Sequence, residues 1–362
     1  MKILHILYSG LGGHGNVFFS MVAADKDNEF NYEALFNGVE SIRNEYIQKC
    51  KAGNIKWNTL KKETRGFSLK YYQKFSNLIK QSEADIIFLH SSSYILPAIM
   101  ANLIAKKKKR IIIRETQANN LKSKQNWFWL TIAFLFAEKI VFLSEEYKAE
   151  IKNKLIGFYS ESKSAVVPNG IDLTVYKPLQ PENDNFFKIG MQSRLTDNKD
   201  HVTLIKAFAL LKNKYNNVKL VIAGDGPCKE QLVTLAIMLN ISVDVKFVGM
   251  LDEDRLVEFL QSIDIYVHAS YGETMSTSIM QAMACSLPIV ASDVPGIKNM
   301  ILENETGCLV PVKNEQKLFN VMDDLLSDKT KAILLKKNAF NYAQQHYSNL
   351  AMYRKYKKIF TT

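Results

Sequence analysis

Short runs of consecutive apolar residues recur along this chain, each followed by a turn and then by a longer stretch with helical periodicity. That alternation restricts the fold more than any other feature. A run that is apolar at every position is buried on both faces, as a parallel strand is when helices cover the sheet on both sides. Such runs occupy residues 2–8, 86–89, 110–113, 139–143 and 164–167. They return at 187–191, 219–223, 245–248, 263–268 and 287–291, with helical segments such as 200–215 and 228–239 between them. The pattern predicts α/β architecture with doubly wound parallel sheets.

A chain of 362 residues suits two such domains. The alternation breaks at Pro168-Asn169-Gly170-Ile171-Asp172, followed by Pro178 and Pro181. Proline and Asn-Gly punctuate turns, so the hinge is expected there. The expected organisation is a first Rossmann-like domain over 1–168, a hinge over 169–181, and a second Rossmann-like domain over 182–345. A basic, aromatic helix over 346–362 is expected to pack back on the first domain. Open α/β sheets bind ligands at the carboxyl ends of their strands, so two of them facing a central cleft would place the site in the loops that follow strands.

The opening Met1-Lys2-Ile3-Leu4-His5-Ile6-Leu7-Tyr8 reads as a buried strand rather than a signal peptide. Cys50, Cys228, Cys285 and Cys308 lack paired or metal-type spacing, which suits free thiols in a reducing compartment. The longest apolar stretch, 127–137, is well short of the roughly 20 residues that cross a bilayer. A cytoplasmic protein is expected, with room for peripheral contact with the membrane. The net charge of +11 is unevenly placed. Residues 1–168 hold 25 Lys+Arg against 15 Asp+Glu, and the rest 22 against 21. A basic first half attracts an anionic partner such as a phospholipid surface or a lipid-linked pyrophosphate, or serves only solubility. No recognition helix or stacking motif accompanies the charge, so nucleic acid is not expected.

Four loops carry candidate chemistry. Gly10-Leu11-Gly12-Gly13-His14-Gly15 follows the first strand and lets backbone approach a phosphate at a helix N-terminus, although many strand-to-helix turns look alike. Arg194 and Lys199, five residues apart after the strand at 187–191, can both reach a diphosphate and stabilise its charge as it departs. Ordinary surface charge explains them as well. Gly224-Asp225-Gly226-Pro227 reads as a structural turn. In Glu273-Thr274-Met275-Ser276-Thr277, Ser276 or Thr277 caps the Ala/Met-rich helix that follows, and the amides of Met275 to Thr277 face a phosphate. Glu273 is placed to meet sugar hydroxyls and Gln281 to bond a ribose; a capped core helix with a surface Glu is the plainer alternative.

The segment from Ala269 to Asp293 resembles the donor-site signature of the retaining glycosyltransferases of family 4, which have the GT-B fold. The signature is Glu, seven residues, Glu, then Ala-Met-Ala. The likeness continues through Arg194 and Lys199, the turn at Gly224, Phe247-Val248-Gly249 and the hinge at Val167 to Asp172, so it runs in order through the second half. The first half resembles the family in outline only, at Gly12-Gly13 and at His90. One position departs: the second glutamate is Gln281, which keeps hydrogen bonding and loses charge.

The resemblance implies a donor site of Gly13, Arg194, Lys199, Val248, Met275, Ser276, Thr277 and Gln281. His90 and Glu273 are implied to orient the sugar, although a hydrogen-bonded buried histidine explains His90 equally well. Arg114-Glu115 follows the strand at 110–113, within reach of acceptor or donor. It implies a nucleotide-sugar donor, a glycan or lipid-linked glycan acceptor, retention of configuration by front-side displacement, and neither cofactor nor metal. A sugar-nucleotide epimerase of the same architecture and a non-catalytic sugar-nucleotide-binding homologue remain as alternatives.

Overall fold

The computed structural model describes residues 1–10, 13–63, 68–179 and 185–362. The chain separates into two compact units. Unit 1 is Met1–Gly170 with Asn349–Thr362, and unit 2 is Ile171–Ser348.

Unit 1 runs β1 (Lys2–Tyr8), α1 (Gly13–Ala24), β2 (Asn31–Gly38), α2 (Asn44–Ala52), β3 (Lys56–Lys61), α3 (Leu69–Gln81), β4 (Ile86–Leu89), α4 (Ile95–Leu103), β5 (Arg110–Arg114), α5 (Lys124–Phe136), β6 (Lys139–Phe142), α6 (Glu145–Lys154) and β7 (Ser164–Val166). Unit 2 runs β8 (Phe187–Gln192), α7 (His201–Lys214), β9 (Val218–Ala223), α8 (Lys229–Met238), β10 (Val245–Gly249), α9 (Glu253–Gln261), β11 (Ile265–His268), α10 (Thr277–Ala284), β12 (Ile289–Ser292), α11 (Pro295–Lys298), β13 (Cys308–Val310), α12 (Glu315–Ser327) and α13 (Lys329–His346). The last helix, α14 (Asn349–Thr361), belongs to unit 1.

The strands of unit 1 lie in the order β3-β2-β1-β4-β5-β6-β7 and those of unit 2 in the order β10-β9-β8-β11-β12-β13, every pair parallel. Both orders reverse once, between β1 and β4 and between β8 and β11. Crossover helices leave a crevice at such a reversal, above the carboxyl ends of the two strands. The doubly wound α/β fold read from the sequence is therefore what the chain forms, twice.

Central strands are made by the continuous apolar runs. All four residues of β4 are buried, as are all four of β11 and of β12. The sequence reading missed β2, β3 and β13. β3 is an edge strand, reads Lys-Trp-Asn-Thr-Leu-Lys and has no buried residue, so it carries no apolar run. The basic and aromatic stretch from Trp57 to Ile79 is divided between two elements. Trp57 lies in β3, and Tyr71, Tyr72 and Phe75 lie on α3, with Phe75 buried. Arg65 and Phe67 are outside the described residues.

α14 packs on α1 in unit 1. Its Met352, Tyr353, Tyr356, Ile359 and Phe360 join the layer built by Ile3, Val17, Met21 and Phe88. The Tyr356 and Phe360 rings meet Phe88 edge-on at 5.3 and 5.7 Å. Burial of each such side chain stabilises by roughly 1.5–3 kcal/mol. Tyr353 Oη donates to Asp25, 2.8 Å away, and Arg110 donates to the carbonyls of Ile359 and Phe360, which occupies acceptors at the helix C-terminus. Among the described residues, no helix is long and apolar enough to cross a membrane.

Candidate active site

In unit 2 the reversal of strand order brings the loop after β8 beside the loop after β11. The first is folded onto the Gly224–Pro227 turn: Ser193 N–H donates to Ala223 O and Leu195 N–H to Asp225 O, both at 3.0 Å. The second is tied to it through Lys199, which forms a backbone bridge with Ser270. Asp200, the buried N-cap of α7, accepts from Tyr271 Oη at 2.7 Å and from Lys313 N–H at 2.9 Å. These bonds fix one loop against the other.

Lys199 Nζ is consequently held against the Glu273 carboxylate, and it donates to Ser270 Oγ at 3.3 Å. On the same Glu273 oxygen, His268 Nε2 donates at 3.1 Å. Burial opposes charge on Glu273, but the Lys199 ammonium and the His268 bond outweigh it and hold the carboxyl far below the usual carboxylate range. A carboxylate only accepts, so His268 carries its proton on Nε2. Burial keeps His268 neutral, against a partial pull from Glu273. His268 ends β11 and was given no role from sequence; its position one loop ahead of Glu273 was the available signal. Gly296 is forced by the same loop, because a Cβ there would lie 1.9 Å from the Glu273 carbonyl oxygen.

Arg194 stands on the same loop as Lys199, exposed to solvent. Ser276 is the N-cap of α10, its Oγ accepting from Ile279 N–H, while its own N–H points to Met300 Sδ at 3.1 Å. Of the amides expected to meet a phosphate, that of Ser276 is therefore engaged. Thr277 and Ser278, in the first turn, have no intrahelical acceptor. Met275 and Thr277 are half-buried, and Val248 is half-buried near the end of β10. Gln281 lies deeper. It is buried, its Nε2 donates to Tyr176 Oη at 2.8 Å, and its Oε1 has no partner among the described residues.

In unit 1 a second polar cluster sits where β1 and β4 diverge. His90 follows β4 and is wholly buried, its Nε2 bonded to His5 Nδ1 at 3.1 Å. His14, in the first turn of α1, bonds Thr116 Oγ1 at 3.1 Å, and its ring is 5.6 Å from that of His90. Arg114 ends β5, is buried, and donates from Nη2 to Asn169. Burial, with smaller contributions from His5, Arg114 and His14, pushes His90 well below its ordinary value. Arg114 and the buried Glu115–Lys122 pair stand beside His90. Gly13 opens α1; Leu11 and Gly12 lie outside the described residues. Gly15 serves packing, since a Cβ there would fall 2.3 Å from the Tyr46 ring.

Two doubly wound parallel-sheet units, each with its polar cluster at the reversal of strand order, define the GT-B architecture of glycosyltransferases. Residues 174–343 match the family of glycosyl transferases group 1, and residues 39–175 match glycosyltransferase family 4. The two matches meet at 174–175 and together support a place for this chain among the GT-B glycosyltransferases of group 1. An uncharacterized glycosyltransferase of Methanocaldococcus jannaschii is 26% identical over 312 residues, 81% of this chain and 79% of its own length. The N-acetylgalactosamine-N,N'-diacetylbacillosaminyl-diphospho-undecaprenol 4-alpha-N-acetylgalactosaminyltransferase of Campylobacter jejuni is 27% identical over 275 residues, 72% of this chain and 71% of its own length. Among solved structures, Anabaena HepE in complex with UDP-glucose superposes with a TM-score of 0.84 at 21% identity, over 100% of this chain and 99% of that one. At that identity the likeness concerns the fold.

Proposed function

We propose that this protein is a retaining, metal-independent glycosyltransferase that moves a sugar from a nucleoside diphosphate donor to a lipid-linked glycan in the synthesis of a bacterial surface polysaccharide, working in the cytoplasm at the membrane. The observation that carries the reading is the Lys199–Glu273–His268 network at the reversal point of the second sheet, with Arg194 on the same loop. A departing nucleoside diphosphate gathers negative charge on its terminal phosphate. An ammonium already fixed in place stabilises that charge without reorganising at the moment of reaction. Glu273 sets the position of Lys199 and offers its remaining carboxylate oxygen to a sugar hydroxyl. Arg194 serves the diphosphate as a second cation, and the first turn of α10 supplies N–H donors.

With two cations on one loop, the charge is met without a metal ion. Front-side displacement, in which the leaving phosphate takes the acceptor proton, asks of the protein only placement and charge stabilisation. UDP as the nucleotide and a polyprenyl-diphosphate-linked glycan as the acceptor are supported by the HepE complex and by the Campylobacter enzyme's reaction.

The test is a hydrolysis screen of nucleotide sugars with and without chelator, followed by product analysis with lipid-linked acceptors. Slow release of UDP from one sugar, indifferent to chelator, with an α-configured donor giving an α-configured product, is the expected result. Binding of the donor without turnover, conversion of the donor into an epimer, or loss of activity with chelator would each overturn a named part of the assignment.

A further inference from the structure

A helix on the outside of an α/β sheet normally turns one apolar stripe inward and a polar surface outward. α5 does not. Leu130, Ala133 and Phe134 face the core, while Phe128 and Leu135 are 54% and 55% exposed. These two are seven residues apart with half-buried Ile132 between them, so they form a single outward row along two turns. Phe136, beside Leu135, is also exposed.

α4 and α6 extend the row sideways. The helices α4, α5 and α6 carry the chain between successive strands of the order β4-β5-β6-β7 and share one core layer, so they lie side by side on one face. Because the strands are parallel, the links from these helices into β5, β6 and β7 fall along one rim of the sheet. Leu103 (75% exposed) and Ile104 close α4 at that rim, and Ile156 (84%) and Phe158 follow α6 there. Hydrogen bonds tie the rim together. Lys163 Nζ donates to the carbonyls of Phe134 and Leu135, at 2.7 and 3.3 Å, and the Tyr159 ring lies 5.4 Å from that of Phe134.

The same rim is basic. Lys106, Lys107 and Lys108 follow Ile104, and Lys152 and Lys154 end α6. Its carboxylates are engaged: Asp85 with Lys107, Glu138 with Arg110, and Glu161 with Lys148 and Lys152. Lys106, Lys108 and Lys154 have no carboxylate partner among the described residues. A protein interface of this kind is depleted in lysine at its centre. Apolar tips ringed by unpaired ammonium groups instead fit lipid phosphates above an acyl layer.

We propose that the outward row of α5 and the apolar rim beside it are the surface by which unit 1 lies on an anionic lipid bilayer. This rests on the reading of a membrane-bound acceptor given above and says where the protein meets the membrane. The test uses the whole chain and co-sedimentation with vesicles of phosphatidylglycerol and phosphatidylcholine, against vesicles of phosphatidylcholine alone. The expected result is binding to the anionic vesicles only. It should fall roughly tenfold or more when Leu135, Phe136 and Phe158 are all changed to Ser, since each loses an apolar side chain from the acyl boundary. Changing Lys106, Lys108 and Lys154 to Glu should abolish the salt dependence. Hydrolysis of the nucleotide sugar without vesicles should be unchanged in both variants, which separates failure of docking from failure of the catalytic reading. Binding unaffected by either set, no binding at all, or a dimer in light scattering that the Ser variant dissolves would overturn the proposal.

Discussion

Lys199 and Glu273, 74 residues apart in the chain, form an ion pair that joins the loop after β8 to the loop after β11. The pair exists because those two strands are neighbours in the sheet although β9 and β10 intervene in sequence. Its charges are the means by which the site is proposed to meet a diphosphate.

Changing Lys199 to Ala should lower turnover by roughly a hundred- to a thousandfold, the usual effect of removing one fixed donor from a developing anion. The variant keeps Arg194, so donor binding should weaken less than turnover. Initial rates of UDP release at saturating and limiting donor separate the two. Turnover equal to that of the unmodified protein would remove Lys199 from the chemistry.

Gly296 to Ala acts on the same place from behind. The new Cβ must displace the Glu273 carbonyl oxygen, 1.9 Å away. Overpacking of this kind costs about 1–3 kcal/mol, and the shift carries Glu273 away from Lys199. Urea unfolding should show the loss of stability, and the hydrolysis rate should drop with it. A variant as stable and as active as the parent would mean that the loop yields freely.

Tyr176 to Phe tests the buried Gln281. Without the tyrosine oxygen, Gln281 Nε2 is left with an unsatisfied donor, at a cost of about 1–3 kcal/mol. The double change with Gln281 to Leu should cost less than the sum of the single changes. Strict additivity in urea unfolding would show that the two side chains do not depend on each other.

His5 predicts a pH dependence. Burial lowers its pKa to about 3, against about 6.5 in the unfolded chain. Between those values the unfolded chain binds a proton that the folded chain refuses, so stability is full above pH 6.5 and falls as the pH drops toward 3. The slope from this one group is about 1.4 kcal/mol per pH unit. His5 to Phe, which suits the surrounding Phe18 and Phe88 rings, should therefore lose about 2 kcal/mol less than the parent between pH 7 and pH 5. Equal losses in urea titrations at the two pH values would refute the assignment.

The central strands were legible because a parallel strand buried on both faces writes itself as an unbroken apolar run, as Ile86-Ile87-Phe88-Leu89 does. The edge strand β3 has no such run, so its six residues passed for surface. In the site, Arg194, Lys199 and Glu273 were legible as residues that follow strands. That Glu273 would grip Lys199 was not, because the contact depends on which strands become neighbours. His268 escaped notice since it closes a buried strand and looks like part of it. Gln281 was expected to be available to a ribose; its orientation toward Tyr176 depends on a residue more than a hundred positions earlier.

The return of α14 to unit 1 has a consequence for how the chain is made. Tyr353, Tyr356 and Phe360 finish an apolar wall whose other members, Ile3, Val17 and Met21, are synthesised before any of unit 2. On the ribosome the early half therefore waits, partly uncovered, while the whole of unit 2 is translated, and chaperones have reason to attend it during that interval. A premature stop just before residue 349 would accordingly cripple the half that was translated first.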